Sequence, residues 1–423
     1  MALTSLSFIF VYFPLSLAAY YISPPRLRAS VLLLISLGYG FLSWGLMWIA
    51  AASVAADYVI VSAMSRTSIL WLRKSLISVS ALKAAAAAVY LAAAPPLYWM
   101  GLLICTLLGL EYALHAYKSE EIDRNPLRLA VCCLFFPRLY AGPLSNPKSF
   151  MEQLANTKLS GSFLIEGLSL FSTGSLKMLI PGMHMMEIHA TLIGASWEEN
   201  SILTGWMIAL TFALGTYYQL SGLGDMAKGI AALFGISIPK NFYYPYQSQS
   251  IGDFEMRFNS TLRAYFSRIG YPIAGAIAMG VWIGIWHGKQ FEFLLFGLYL
   301  GGLILIERGA AGQALERLPM LFRRIISLFL IMLGFAFFSA PTMADGLQYL
   351  GMMFGFGGAA IAEGRLLYLL SSRWLILLLS CFFATNICSL LMEKMKTFAP
   401  RAYSLINAML AFSIIAWITA LQF

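Results

Sequence analysis

The sequence predicts an all-α polytopic membrane protein, and three observations carry that prediction. Of its 423 residues, 60% are hydrophobic and 11% are charged, where a soluble chain carries roughly a quarter charged residues. Apolar runs near the roughly 20-residue spanning length recur from end to end, and mean hydropathy is +0.76. Basic residues collect in alternate connecting segments. The runs amount to about eleven transmembrane helices, with shorter apolar pieces that read as re-entrant or interfacial helices. No polar stretch is long enough to fold by itself, so residues 1–423 read as a single integral membrane domain.

The first span is "LSFIFVYFPLSLAAYYI", Leu6 to Ile22. It lacks a basic leader and a small-residue cleavage motif, so a helix is expected there and not a cleaved signal peptide. Residues 1–117 form about five helices joined by tight turns. The Ala-rich run ending at Pro95 and Pro96 resembles low complexity, but small side chains let membrane helices pack closely. No internal or inverted repeat of the transporter kind is visible.

Arg26 and Arg28, then Arg66, Arg73 and Lys74, then Lys118, Arg124 and Arg128 occupy alternate connections, as do Arg323 with Arg324 and Lys394, Lys396 and Arg401. The turns around Ser43–Gly45 and Pro95–Pro96 carry no charge. This alternation places both termini outside the cytoplasm. It also accounts for the net charge of +9, so no nucleic-acid partner is expected. The five cysteines, Cys105, Cys132, Cys133, Cys381 and Cys388, show no metal-ligand spacing and read as small buried hydrophobes. No metal is expected.

Two stretches break the pattern. Between residues 118 and 160, Pro137, Pro143 and Pro147 with Gly142 interrupt any helix. A broken backbone at membrane depth must be buried in protein or line a polar cavity. Residues 217–272 hold Asp225, Lys228, Lys240, Asp253, Glu255, Arg257, Arg263 and Arg268 among many Tyr and Phe. That stretch is too polar to span and too aromatic for a disordered linker. Asp253 is positioned to cap a helix running to about Arg268. Such an amphipathic helix lies in the interface or plugs the interior, and a cytoplasmic surface helix is the alternative. Asp225 and Lys228, three apart, suit an ion pair.

The chain has four histidines. His287, in "GVWIGIWHG", falls in a stretch that a bilayer would bury. An intramembrane ionisable side chain is a functional candidate by default, and imidazole suits proton transfer near neutral pH. A packed histidine bonded to a neighbouring helix is the alternative. His184 and His189 lie five apart around Glu187, a poor spacing for two ligands on one helical face. They and His115 read as interfacial.

Several segments together resemble the membrane-bound O-acyltransferase family of the bacterial type, whose members acetylate alginate and other exopolysaccharides or move D-alanine towards teichoic acids. The opening two helices with their Pro–Arg turn, "FFPRLYAGPLSNPKSF", "YYQLSGLGDMAKGIAALFGISIPKNFYYPYQSQSIGDF" and "WHG" at Trp286–Gly288 appear in the family's order. The resemblance covers about residues 1–300, with the core motifs in 130–300. It implies helices around a central funnel, with His287 as the essential histidine. Three features depart from the pattern. Where polysaccharide-acetylating members carry a "RRWHISLS"-like motif, this chain has "MRFNSTLR", so Asn259 stands in place of the first histidine. Members that acylate proteins or lipids carry Asn or Asp there. The segment from Asn259 to His287 is also short, and Gln219 stands where Asp is usual.

Acyl transfer from a thioester to a hydroxyl needs a base for the hydroxyl proton and donors for the tetrahedral oxyanion. The resemblance assigns the base to His287, and the Asn259 amide can orient substrate or serve the oxyanion. No G-x-S-x-G elbow is present, and direct transfer requires no covalent nucleophile. Arg257 and Arg263, with Lys240, Tyr246 and Trp286, are the candidate donor-binding residues. Cations hold a phosphate-bearing head, and the Tyr243–Tyr244–Tyr246 group holds an apolar arm. A solvated cytoplasmic face is an equal reading of the arginines.

The implied function is transfer of an acyl group, acetyl foremost, from a cytoplasmic thioester to a hydroxyl during cell-envelope or exopolysaccharide modification. The co-substrate is acetyl-CoA or an acyl-phosphopantetheine carrier, with no bound cofactor. The expected partners are the lipid bilayer, an acyl carrier protein and an extracytoplasmic acetyltransferase. The expected location is the bacterial inner (plasma) membrane. A transporter or flippase, D-alanyl transfer from a carrier protein, and a catalytically inactive scaffold are the alternatives.

Overall fold

The structure, a computed structural model, describes residues 2–44, 47–93, 100–118, 123–141, 143–157, 160–194, 201–269, 291–356, 358, 360–399, 401–402, 405 and 409. The described residues fold as helices, with a lone bridge between Ser201 and Ala360. A π-helical turn, Ser7–Tyr12, leads into α1 (Phe13–Ile22). Helices α2 (Arg28–Trp44), α3 (Met47–Ser65), α4 (Leu70–Ala93) and α5 (Met100–Tyr117) follow. The proline-rich stretch divides into α6 (Pro126–Leu134), α7 (Phe136–Ala141) and α8 (Pro147–Ala155). Helix α9 (Gly161–Lys177) continues through a π turn at Pro181 into α10 (Met183–Ile193). The long α11 (Ile202–Leu233) precedes the polar segment, which contains α12 (Ile251–Phe258) and α13 (Ser260–Ile269). Then come α14 (Phe291–Glu307), α15 (Ala310–Glu316), α16 (Met320–Phe338), α17 (Met343–Met353), α18 (Gly364–Phe383) and α19 (Ile387–Phe398).

The fold class expected from composition holds: the chain is an all-α polytopic membrane protein. The expectation of about eleven spans includes stretches outside the described residues, such as 270–290. Among the described residues five segments are long and apolar enough to cross a bilayer, and a bent pair at Leu295–Glu307 and Ala310–Glu316 makes six. Two further apolar runs are the shorter helices Ser7–Ile22 and Gly101–Tyr117.

Helix α11 organises the rest. It lies so close to α9 that a Cβ on Gly174 would sit 2.5 Å from the Gly222 carbonyl oxygen, and one on Gly222 would sit 2.6 Å from that of Gly174. Only a missing side chain permits this approach, the device by which membrane helices gain packing contact. The same approach lets Lys177 of α9 reach Asp225 of α11 at 2.5 Å. The expected Asp225–Lys228 pair is therefore not formed. Lys228 turns instead towards Glu166, 3.8 Å away. At the end of α11 the Leu233 and Phe234 carbonyls accept from the Tyr21 and Tyr20 hydroxyls of α1, at 2.9 and 3.0 Å. This satisfies groups that every helix C-terminus leaves open. Around Phe234 the rings of Phe135, Phe136, Phe13 and Tyr20 pack edge-on.

A bulky residue at position 222 must push α9 from α11 and pull Lys177 from Asp225. Gly222→Leu is expected to lower the thermal unfolding midpoint of detergent-purified protein clearly below that of Leu367→Ala, a change at an exposed site. An unchanged midpoint in Gly222→Leu would contradict this packing.

A candidate active site at a helix break

The α12–α13 segment is one amphipathic helix broken at Asn259. Asn259 has φ −156° and ψ 64°, outside the helical region. Three backbone groups thereby leave the helical ladder, and residues 240–243 take them up. Arg257 O accepts from Tyr243 N at 2.9 Å, and Asn241 O accepts from Ser260 N at 3.0 Å. Thr261 N donates to Asn241 Oδ1 at 3.2 Å. The same Oδ1 accepts from the Thr261 hydroxyl at 2.8 Å, and that hydroxyl accepts from Leu144 N at 3.0 Å. Asn241 and Thr261 are buried. Three segments that the sequence shows as separate motifs, around Pro143, Asn241 and Asn259, thus join through one side-chain hydrogen-bond chain.

The start of α12 is fixed as firmly. Asp253 was expected to cap it, but the cap is Ser250, whose Oγ accepts from Asp253 N at 3.0 Å. Asp253 supports the turn by accepting from Gln249 N at 3.1 Å. Glu307, at the end of α14, accepts from Ile251 N and Gly252 N at 2.6 and 3.0 Å. A carboxylate at a helix N-terminus meets both its open N–H groups and its dipole.

The broken stretch before α8 is held from inside by Arg138, which is wholly buried. Its guanidinium donates to the carbonyls of Cys132 (3.0 Å), Pro143 (3.3 Å) and Ser145 (3.1 Å). It lies 4.8 Å from the centre of the Phe150 ring. The predicted interruption at Pro137, Pro143 and Pro147 is therefore present, and its exposed carbonyls are met by protein.

The candidate residues fall around this junction as follows. Arg257 pairs with Asp253 at 2.6 Å and donates to Tyr243 O at 3.3 Å. Arg263 faces Glu255 at 3.3 Å. Lys240 lies over the Tyr243 and Tyr244 rings, at 5.6 and 5.2 Å, and burial pushes its ammonium pKa down. Tyr244 is the one described non-glycine residue in the left-handed region, at φ 52°. Tyr246 donates its hydroxyl to Ala213 O of α11 and packs against Tyr217 and Phe254. Lys240 and Tyr246 thus lie on a strap, residues 240–246, and Arg257, Asn259 and Arg263 lie on the broken helix that it braces. His287 and Trp286 lie outside the described residues. His184 Nδ1 is 2.8 Å from Ile180 O, and His189 Nδ1 is 3.3 Å from Ile208 O. Among the described residues no three His, Cys, Asp or Glu side chains gather to hold a metal.

Sequence reasoning overlooked Glu255 as a site residue. It is 5% exposed, on the same helix as the half-exposed Arg257. Burial pushes its carboxyl up to about 7, with Arg263 and Arg308 pulling the other way. The signal was available: an acid two places from Asp253 points to another face of the helix, and only one of the two can face solvent.

Comparison with known proteins fits this picture. No family model matches the chain. It is 24% identical over 404 residues to a protein of Azotobacter vinelandii named a probable alginate O-acetylase, covering 86% of this chain and 80% of that one. It is 26% identical over 303 residues to a peptidoglycan O-acetyltransferase of Helicobacter pylori, across 61% of this chain and 57% of that one. A teichoic acid D-alanyltransferase of Bacillus subtilis is 24% identical over 224 residues, across 48% of this chain and 56% of that one. All three names denote acyl transfer, and with the helical membrane fold they make this chain a membrane acyltransferase. Within that class the chain is similar to membrane-bound O-acyltransferases, at 24 to 26% identity to these three relatives.

The buried carboxyl predicts a pH effect on stability. Glu255 is held neutral in the folded protein up to about 7, against an ordinary value of 4.5. Its contribution is therefore fully present below 4.5 and is lost as pH rises to about 7. The groups facing it are Arg263 of α13 and Arg308 beyond α14. Wild type should lose up to about 3 kcal/mol relative to Glu255→Gln across that window. Thermal midpoints of the two proteins from pH 4.5 to 8 measure it, and parallel curves would refute it.

Proposed function

We propose that the protein transfers an acetyl group from a cytoplasmic thioester, acetyl-CoA or an acyl-phosphopantetheine carrier, to a hydroxyl of a cell-envelope or exopolysaccharide polymer. The observation that carries this reading is the break at Asn259. It stands at the resembling family's first-histidine position, and a dedicated strap and a buried threonine hold it open. A purely structural helix would have no need of such a break. Acetyl is preferred to D-alanyl because the relatives matched over most of the chain are named for O-acetylation.

In this reading His287 takes the proton of the acceptor hydroxyl as its oxygen attacks the thioester carbonyl. The tetrahedral oxyanion then collapses and the thiol leaves with a proton. The Asn259 amide orients the reacting groups or donates to the oxyanion. A positioned base contributes roughly 10²–10⁴-fold. Lys240, Tyr246, Arg257, Arg263 and Trp286 form the donor approach, where cations suit a phosphate-bearing head and rings suit the arm. Final delivery to the polymer falls to a separate extracytoplasmic acetyltransferase, and an acyl carrier protein is the alternative source of the donor. The protein sits in the bacterial inner membrane.

Purified protein in lipid nanodiscs, given labelled acetyl-CoA and a polysaccharide acceptor, should release thiol. His287→Ala should purify normally and lose activity by about 10²-fold or more. Thiol release at the wild-type rate in that variant would remove the general-base role.

The donor's side rests on the alternation of basic connections. In intact cells, Leu70→Cys in a background without native cysteines should resist an impermeant thiol reagent and react only after permeabilisation. Strong labelling from outside would reverse the topology and the direction of transfer.

A further inference from the structure

A separate concentration of charge lies where the bent pair α14–α15 meets the start of α16. Residues 307–324 hold four arginines and two glutamates, a net charge of +2. Glu307 is committed to the start of α12, and Arg308 faces Glu255 of that helix. That leaves Arg317, Arg323 and Arg324 against the exposed Glu316. Among the described residues these three arginines have no carboxylate partner, and the buried Nε groups of Arg323 and Arg324 find no acceptor. A buried donor left unmet in a folded protein asks for a partner. Arg323 and Arg324 stand inside a membrane-spanning segment, Met320–Phe338, about one turn or roughly 5 Å from its start. Side chains on a helix lean towards its N-terminus, so both guanidinium heads are carried back towards the turn that holds Arg317. The first turn of α16 has no acid and no side-chain cap, so the helix dipole opposes the two cations. An anion placed there relieves all of this at once. Around the arginines, Leu318, Met320, Leu321, Phe322 and Ile325 are exposed. A hydrated ion or an acidic peptide would leave this apolar collar uncovered, so the anion that fits is one with an apolar body below its charge.

We propose that Arg317, Arg323 and Arg324 form a binding site for the head of an anionic phospholipid. The guanidinium forks donate to the phosphate oxygens, the strong, planar match of this side chain to phosphate. The acyl chains run down the face that carries Leu321, Phe322 and Ile325, spaced three and four apart. The alternation of basic connections puts this end of α16 on the cytoplasmic side, the leaflet in which anionic lipids collect. A zwitterionic lipid offers the same chains, but its own ammonium offsets the phosphate charge, so the site discriminates by head group. The site is independent of the chemistry at Asn259.

The test is native mass spectrometry of the full chain in detergent, with dioleoylphosphatidylglycerol and dioleoylphosphatidylcholine as competing probes. Wild type should retain the glycerol lipid at least tenfold over the choline lipid. Arg323→Gln combined with Arg324→Gln should abolish that preference. Arg317→Gln, at an exposed position that does not threaten folding, should weaken it several-fold. Arg26→Gln combined with Arg66→Gln removes two exposed charges elsewhere and should leave it unchanged. Equal retention of the two lipids by wild type overturns the site, as does a wild-type preference in both the double variant at 323 and 324 and Arg317→Gln. An equal loss in the variant at 26 and 66 also overturns it, since that would show diffuse attraction to basic surface. Displacement of the lipid by inorganic phosphate or by polyglutamate would assign the patch to a free anion or an acidic protein and overturn the lipid assignment.

Discussion

The Asn241–Thr261 hydrogen-bond pair is the constraint on which the site depends. A helix broken in an apolar setting leaves N–H and C=O groups that lipid cannot satisfy. Here the Asn241 side chain accepts twice from Thr261, its backbone accepts from Ser260, and Thr261 passes the connection on to Leu144. Removing either side chain would expose several buried groups at once, at about 1–3 kcal/mol each. The break at Asn259 is therefore maintained by residues about twenty and more than a hundred positions away, as expected of a designed feature of the fold.

The same rule governs the charges inside the protein. Asp57 of α3 is buried against Lys83 of α4, with Ser80 donating to it at 3.0 Å. Lys177 meets Asp225 between α9 and α11, and Glu111 of α5 takes both nitrogens of the Arg268 fork at the end of α13. Arg138 directs its guanidinium at three backbone carbonyls and the Cys132 sulfur, and among the described residues no carboxylate pairs with it. Each of these pins one helix or loop to another, and the last two fix the two sides of the junction around Asn259. Near the break, Glu255 of α12 and Arg263 of α13 make a further pair of this kind, 3.3 Å apart.

Much of this was legible in the sequence. Hydropathy and the lack of charge establish a helical membrane protein, three prolines forecast the break before α8, and the polar, aromatic run from residue 217 marks the segment that carries the site. What was not legible depends on contacts between distant elements. Asp225 reads as a partner of Lys228 until the close approach of the glycine faces brings Lys177 nearer. Asp253 reads as a cap because acids favour helix N-termini, yet Ser250 takes that position. Glu255 disappears among the charges of an amphipathic helix, whose pattern does not say which face packs against Arg308 and which meets water. The motif order from the opening helices to Trp286–Gly288 carries the resemblance to the O-acyltransferases, and the junction supplies a physical reason why three of those motifs belong together.

The central claim is that acyl transfer takes place at the Asn259 break. The most direct measurement is an electron cryo-microscopy map of the protein in nanodiscs with a non-hydrolysable thioether analogue of acetyl-CoA. The analogue's sulfur should lie within contact distance of the Asn259 side chain. An analogue bound elsewhere, with the Asn259 amide closed onto protein alone, would contradict the account.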